Sequence, residues 1–189
     1  MISVSLFLFI SCNKKSEGEE EALSRATEKE SENKADPETF KKLRRIAFTT
    51  TPEQLRLSLP KDKTVVYGVI MDMEMGSAVA TLTTFQTGDA SLYLSNGGGI
   101  IGGFQHQNVN IAAKQFVTVA QAYLDKATKT ETTALPAADE VIFYLLTNDG
   151  IYSCHETFKD FEDNTSEFTK LFEEGNKVLT ELRLVSDKN

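Results

Sequence analysis

One stretch limits the possible folds more than any other: residues 140–147, EVIFYLLT, are apolar on both sides of an extended chain. A strand with one buried face alternates apolar and polar residues, whereas a run that is apolar throughout is typical of a strand covered on both faces. Asn148-Asp149-Gly150 follows as a hairpin turn that leads into a second strand over residues 151–158. We therefore expect a sheet with residues 140–147 as a central strand.

Turn residues and apolar spacing divide the rest of the folded region into elements. The predicted elements are a helix from residue 37, a short helix over 51–59, strands over 64–71, 78–86 and 90–95, a helix from near residue 108, and a last helix over 165–185. These elements predict an α+β domain with a mainly antiparallel five-stranded sheet, in the order α-β-β-β-α-β-β-α, with helices packed on the sheet. This element order resembles the type III secretion chaperone and YbjN-like fold.

The chain begins with the apolar segment MISVSLFLFISC, which is too short to span a bilayer and fits the apolar region of a secretory signal. Phe9-Ile10-Ser11-Cys12 resembles a bacterial lipobox, and SCNKK resembles the start of many mature Bacteroidetes-type or spirochaete lipoproteins. The resemblance implies a signal peptide over residues 1–11, cleavage before Cys12, and a membrane anchor of acyl chains such as palmitate on Cys12. The alternative is a buried N-terminal strand with an ordinary cysteine.

Residues 12–36 are rich in charge and poor in apolar residues, which is typical of a disordered acidic tether, although a solvated helix is the alternative. Glutamates at positions 17, 19, 20 and 21 resemble the surface-export signals of Bacteroidetes lipoproteins. The predicted location is therefore a bacterial cell envelope, lipid-anchored at the outer membrane and exposed on the surface. The folded domain is expected over residues 37–185.

Composition argues against several classes of partner. The formal net charge is −8 and the pI about 4.9, and no cluster of Lys and Arg is available to bind nucleic acid. The acidic pair Asp72 and Glu74 and the acidic stretch 160–167 do not match the calcium-binding EF-hand pattern. We expect no metal and no cofactor.

The most distinctive stretch is SLYLSNGGGIIGG at residues 91–103, which places five glycines between a strand and a helix. One interpretation is an anion or small-ligand site made of loop amides, and the other is a tight passage in which the helix packs close to the sheet. GxGxxG can be read at Gly97, Gly99 and Gly102, but the parallel unit that a dinucleotide fold needs is missing. The candidate binding residues are Gly97, Gly98, Gly99, Ile100, Ile101, Gly102, Gly103 and His106.

The pattern SLY-S-GGG-IGG, followed by FYLLT-DG at residues 143–150 and an LRL-type helix, resembles a group of uncharacterised bacterial proteins. The resemblance spans residues 64–185 and implies a shared domain without a known activity. A nucleophilic pair of Cys154 with His106 or His155 is not favoured, because neighbouring strand residues point to opposite faces and nothing in the sequence brings His106 to Cys154.

The sequence therefore favours a binding or interaction module in the cell envelope over an enzyme. Residues 96–108 are the expected working surface. The alternatives are an envelope hydrolase or small-anion-binding protein that uses the glycine-rich segment, and a chaperone-like structural envelope protein that uses its sheet for a partner strand.

Overall fold

The computed structural model describes residues 37–186, apart from the side chains of Pro37 and Phe104. The predictions for the signal peptide, Cys12 and the acidic tether fall on residues 1–36 and lie outside this range. The described residues belong to one compact unit.

Within that range the helices are α1 (Pro37–Thr49), α2 (Gln107–Ala120), α3 (Phe158–Glu162) and α4 (Thr169–Ser186), with 3-10 turns at Gly103–Gln105 and Gln121–Lys126. The strands are β1 (Val66–Glu74), β2 (Val79–Phe85), β3 (Ala90–Leu94), β4 (Gly99–Ile100), β5 (Thr128–Thr130), β6 (Glu140–Thr147) and β7 (Gly150–Thr157).

The described strands form one seven-stranded sheet in the order β4-β3-β2-β1-β6-β7-β5, and every neighbouring pair is antiparallel. The α+β class and the antiparallel sheet are confirmed, but the predicted number of five strands and the predicted element order are wrong. The additions are β4 and β5 at the two edges of the sheet and α3 before the last helix. The edge strands have two and three residues, which is too short for an alternating pattern to be detected.

The strand β6 lies inside the sheet and is buried on both faces, as its apolar run predicts. On one face, which we call the first core, Phe143 and Leu145 pack with α2 and α4 residues such as Phe116 and Leu171. On the other face, the second core, Tyr144 and its neighbours pack against α1 and the segment that follows it. The sheet is therefore the middle layer of the described fold.

The predicted short helix over residues 51–59 is wrong. Thr51 and Gln54 do form the reciprocal bonds of a capping box, with the Thr51 amide 2.8 Å from Oε1 of Gln54 and the Gln54 amide 3.3 Å from Oγ1 of Thr51. The chain nevertheless makes only turns here, and Arg56 has a φ of 57°, which ends any helical run.

The last helix begins at Thr169 rather than near residue 165. Residues 158–162 form the separate helix α3, whose N-cap Thr157 accepts a hydrogen bond from the Asp160 amide at 3.1 Å. Asn164, with a φ of 53°, separates α3 from α4.

Candidate functional site

The glycine segment at residues 96–103 is not a single loop. Two of its residues form β4, which pairs with β3 at the edge of the sheet. The Gly97 amide donates to the Leu94 carbonyl at 3.0 Å, and the Leu94 amide donates to the Gly98 carbonyl at 3.2 Å. The first half of the segment is therefore a tight hairpin in which the Gly97 amide and the Gly98 carbonyl are already paired.

The glycines of this segment have two different roles. A Cβ at Gly99 would lie 2.3 Å from a carbonyl oxygen of β3, and a Cβ at Gly103 would lie 2.7 Å from side chains of α2 and α4. Gly98 and Gly102 face open space, with φ of +83° and +84°. Gly99 and Gly103 therefore permit close approach, whereas Gly98 and Gly102 provide left-handed turns.

The second half of the segment borders a small cavity of about 240 Å³, lined by Gly99–Gly103, His106, Val185 and Ser186. Ile101 is 68% exposed beside it, whereas Ile100 packs against the first core. Most of the predicted site residues thus come together, while Gly97 and Gly98 do not line the cavity. None of the described lining residues is Lys or Arg, so they offer no fixed cation to a phosphate.

The histidines and Cys154 do not form a nucleophilic site in the described residues. Cys154 is 5% exposed within the first core, and burial, with help from Glu156 and Glu167, raises the pKa of its thiol to about 12. His155 is exposed, and its Nδ1 lies 2.8 Å from Oε1 of Glu140. A thiol that stays protonated is a poor nucleophile, so Cys154 acts as a small core residue.

The acidic residue Asp72 is structural. It is fully buried, and its Oδ2 accepts from Nε of Arg44 at 3.0 Å and from Nη2 of Arg44 at 2.5 Å, while Thr81 donates to its other oxygen. Burial raises the pKa of Asp72, and Arg44 and Thr81 partly oppose the rise. Within residues 37–186, no group of three or more His, Cys, Asp or Glu side chains is placed to hold a metal ion.

A larger concave surface lies between the sheet and α4, and we call it the apolar groove. Its volume is about 480 Å³. Its described lining residues are Met73, Met75, Ala78, Ala80, Leu92, Leu94, Asn96, Phe158, Phe172, Asn176, Leu179, Thr180 and Arg183.

Strand register explains the sheet side of the groove. Met73 pairs with Ala80, and Ala80 pairs with Leu94, so these side chains form a row across three strands. Side chains two residues apart point to the same face, which adds Met75 and Leu92 to this surface. Ala80 is small and lies between the longer side chains of Met73 and Leu94, so the groove is deepest at Ala80.

The helix side of the groove is held in place by aromatic contacts. The Phe172 ring of α4 stacks on Phe161 with ring centroids 4.2 Å apart and meets Phe158 edge to face at 5.9 Å. Farther along the same helix, Gly175 permits close approach, because a Cβ there would lie 2.7 Å from Met71. These contacts set the distance between α4 and the sheet, and therefore the width of the groove.

The polar residues of the groove lie along one side of α4 and at the β3–β4 turn. Asn176, Thr180 and Arg183 follow one another at helical spacing, and Asn96 lies at the turn that begins the glycine segment. Arg183 is the one charged residue among the described lining residues. It is exposed and makes no hydrogen bond or ion pair with any residue in the described range.

A further cavity of about 440 Å³ is lined by residues 63–66 and by Thr118 and Gln121, which lie at the end of α2 and just after it. Gln121 bridges this segment, because its Oε1 accepts from the Val66 amide at 2.8 Å and its Nε2 donates to the Thr64 carbonyl at 3.3 Å. The lining of this cavity is more polar than that of the apolar groove, so the apolar groove is the better candidate for a site that binds an apolar ligand.

The apolar groove was not predicted from the sequence. Phe172 and Leu179 pack against the first core, but both are half-buried and line the groove. A detectable signal was the alternation of apolar residues that continues past the end of a strand, as in Met73 and Met75. Alternation alone does not show whether a helix covers such a surface.

Comparisons with protein-family models, with curated proteins and with solved structures found no match. No helix among the described residues combines the length and the apolar character that crossing a bilayer requires.

Proposed function

We propose that this chain is a lipid-anchored protein of a bacterial cell envelope, and that its folded domain is a binding module for an apolar ligand. The anchor rests on the apolar segment at residues 2–10 and on the lipobox-like residues that end at Cys12. The ligand site rests on the structure of residues 37–186.

The apolar groove is the observation that carries the binding function. Its volume of about 480 Å³ falls within the range of small-molecule sites, and methionine, leucine and phenylalanine dominate its lining. Methionine side chains adapt to different apolar shapes, and both Met73 and Met75 contribute. An exposed apolar concavity of this kind is usually a contact site.

The chemistry of the groove supports binding rather than catalysis. Its described lining residues include no His, Cys, Asp or Glu, so they offer no general base and no activated nucleophile. The polar groups present are amides, one hydroxyl and one guanidinium, which orient a ligand without transferring protons.

A pair of threonines allows a matched test of the groove. Thr180 on α4 and Thr118 on α2 are both exposed, and each hydroxyl donates to the carbonyl four residues earlier at 2.8 Å. Thr180 lines the apolar groove and Thr118 lines the cavity beside α2. Phe at either position has the same effect on helix chemistry but fills a different cavity.

The test uses the full chain with Cys12→Ser, so that no lipid or detergent competes, and the neutral fluorophore N-phenyl-1-naphthylamine. We expect the fluorophore to bind the parent chain and Thr118→Phe, and to lose most of its binding in Thr180→Phe. Equal binding by both variants, or no binding by the parent chain, would contradict the proposed function. Circular dichroism of each variant checks that the fold is intact.

The anchor has a separate test in the bacterial cell. We expect radiolabelled palmitate to enter the wild-type chain and not Cys12→Ser, and the wild-type chain to fractionate with membranes. A wild-type chain that takes up no label and stays in the soluble fraction would refute the lipid anchor. Protease treatment of intact cells then reports whether the domain is exposed on the surface.

A further inference from the structure

The apolar groove contains one charged residue, and this charge distinguishes the groove from a purely apolar site. The chain has a net charge of −8, yet the one charged residue among the described groove residues is a cation, Arg183. No described residue pairs with its guanidinium, which therefore remains available to a ligand. A guanidinium presents a planar set of donors that matches a carboxylate.

The positions of the apolar and charged groups set the shape of a matching ligand. Arg183 lies in the last turn of α4, whereas Phe172 lies about three turns earlier on the same helix and also lines the groove. Eleven residues of helix span about 16 Å, so an extended apolar chain can lie along the groove while its charged end reaches Arg183. The neutral polar residues Asn176 and Thr180 lie between the two.

We infer that the apolar groove binds an alkyl carboxylate, with the extended alkyl chain between α4 and the sheet and the carboxylate on Arg183. This inference rests on the proposed binding function and adds the chemical class of the ligand. An amine would place a cation against Arg183, and an alcohol would leave the guanidinium without a counter-charge. The groove should therefore prefer the carboxylate to both at equal chain length.

The experiment measures displacement of N-phenyl-1-naphthylamine from the full chain with Cys12→Ser, with the ionic ligands below their critical micelle concentrations and 1-decanol below its solubility limit. The ligands are octanoate, decanoate, 1-decanol and decylamine. The variants are Arg183→Gln, Arg183→Lys and the matched control Arg45→Gln, which removes an exposed arginine from α1. A cation in the last helical turn also stabilises a helix, so the unfolding midpoint of each variant is recorded alongside.

We expect decanoate to bind more tightly than 1-decanol and decylamine, and Arg183→Gln to weaken decanoate by about fivefold while leaving 1-decanol unchanged. Arg183→Lys should retain most of the preference, and Arg45→Gln should retain all of it. Decanoate should also bind more tightly than octanoate, by about two- to fourfold for each added methylene.

Two failures are distinguishable. In the first, the fluorophore binds and Thr180→Phe blocks it, so the groove remains a binding site. The carboxylate inference is nevertheless overturned if decanoate and 1-decanol compete equally, or if Arg183→Gln has no effect on the binding of decanoate. If the fluorophore does not bind the parent chain, both the inference and the proposed function fail.

Discussion

Removing Arg44 should destabilise the protein by an amount that depends on pH. Arg44 and Asp72 form a buried ion pair between α1 and β1, with the Arg44 side chain 10% exposed and the Asp72 side chain fully buried. The guanidinium also donates to the carbonyls of Thr133 and Ala134 at 2.9 and 3.1 Å. It therefore ties α1, the sheet and the segment before β6 together.

The expected cost of Arg44→Met follows from these contacts. Breaking a buried ion pair by removing one partner costs about 3–5 kcal/mol when the remaining charge is kept. Asp72 can avoid part of this cost by taking up a proton, because burial already raises its pKa and the loss of Arg44 removes a group that opposes the rise. At acidic pH the cost should fall toward that of the lost hydrogen bonds, about 1–2 kcal/mol.

The sign of the pH dependence follows from proton linkage. A carboxyl whose folded-state pKa is raised contributes stability below its unfolded pKa and loses it as the pH rises through the folded pKa. The free energy of unfolding of Arg44→Met should therefore fall by about 1.4 kcal/mol per pH unit over that window, on top of the wild-type trend. Tyr144 nearby stays neutral throughout, because burial raises its pKa to about 12.

Urea denaturation at pH 5 and pH 8, followed by circular dichroism, measures this difference. The double variant Arg44→Met with Asp72→Asn is the matched control, since it keeps the shape of the site without a titratable group at position 72. We expect the single variant to lose more stability than the double variant between the two pH values, by about 1.4 kcal/mol for each unit by which the folded-state pKa of Asp72 exceeds 5. Equal pH dependence of the two variants would refute a rise of the Asp72 pKa into the range between pH 5 and pH 8 in Arg44→Met.

Three further predictions concern other residues. Cys154 should react with a thiol reagent at pH 8 only after unfolding, because its thiol is buried and has a pKa of about 12; rapid labelling of the native chain carrying Cys12→Ser would contradict this. Gly103→Ala should lower the unfolding midpoint more than Gly98→Ala, because a Cβ at Gly103 would lie 2.7 Å from two side chains. Gly98 faces open space, so its substitution carries only the left-handed penalty of about 1–2 kcal/mol. The reverse order of midpoints in thermal unfolding would show that the packing at Gly103 is not tight. Ala80→Leu should abolish fluorophore binding while the chain remains folded, since it fills the lowest point of the groove; unaltered binding would place the fluorophore elsewhere.

The interior of the sheet was predictable because it depends on local pattern. Residues 140–147 were expected to form a central strand, and β6 has those bounds and is buried on both faces. The apolar run needs no partner to be recognised, since burial on both faces requires apolar residues at every position. The edge strands β4 and β5 were missed because two or three residues carry no periodicity.

The glycine segment illustrates the limit of local reasoning. Its composition predicted conformational freedom, and both interpretations, a site and a close approach, were open. The structure assigns close approach to Gly99 and Gly103, because the atoms that a Cβ would meet belong to β3, α2 and α4. Leu182 of α4 is far from Gly103 in the sequence, and β3 meets Gly99 only through strand pairing. No spacing of glycines in the sequence therefore distinguishes these two from Gly98 and Gly102.

The apolar groove depends on distances that no single segment contains. Met73, Ala80 and Leu94 meet only because the register of β1, β2 and β3 aligns them, and Arg183 reaches the same surface only because α4 packs beside it. The sequence by itself determined the α+β class, the central strand and the hairpin turn that follows it, since hydrophobic period and turn chemistry act between neighbouring residues. The tertiary structure alone decided which glycines are tight, which acid is buried and where the groove lies, because these depend on packing between segments far apart in the chain.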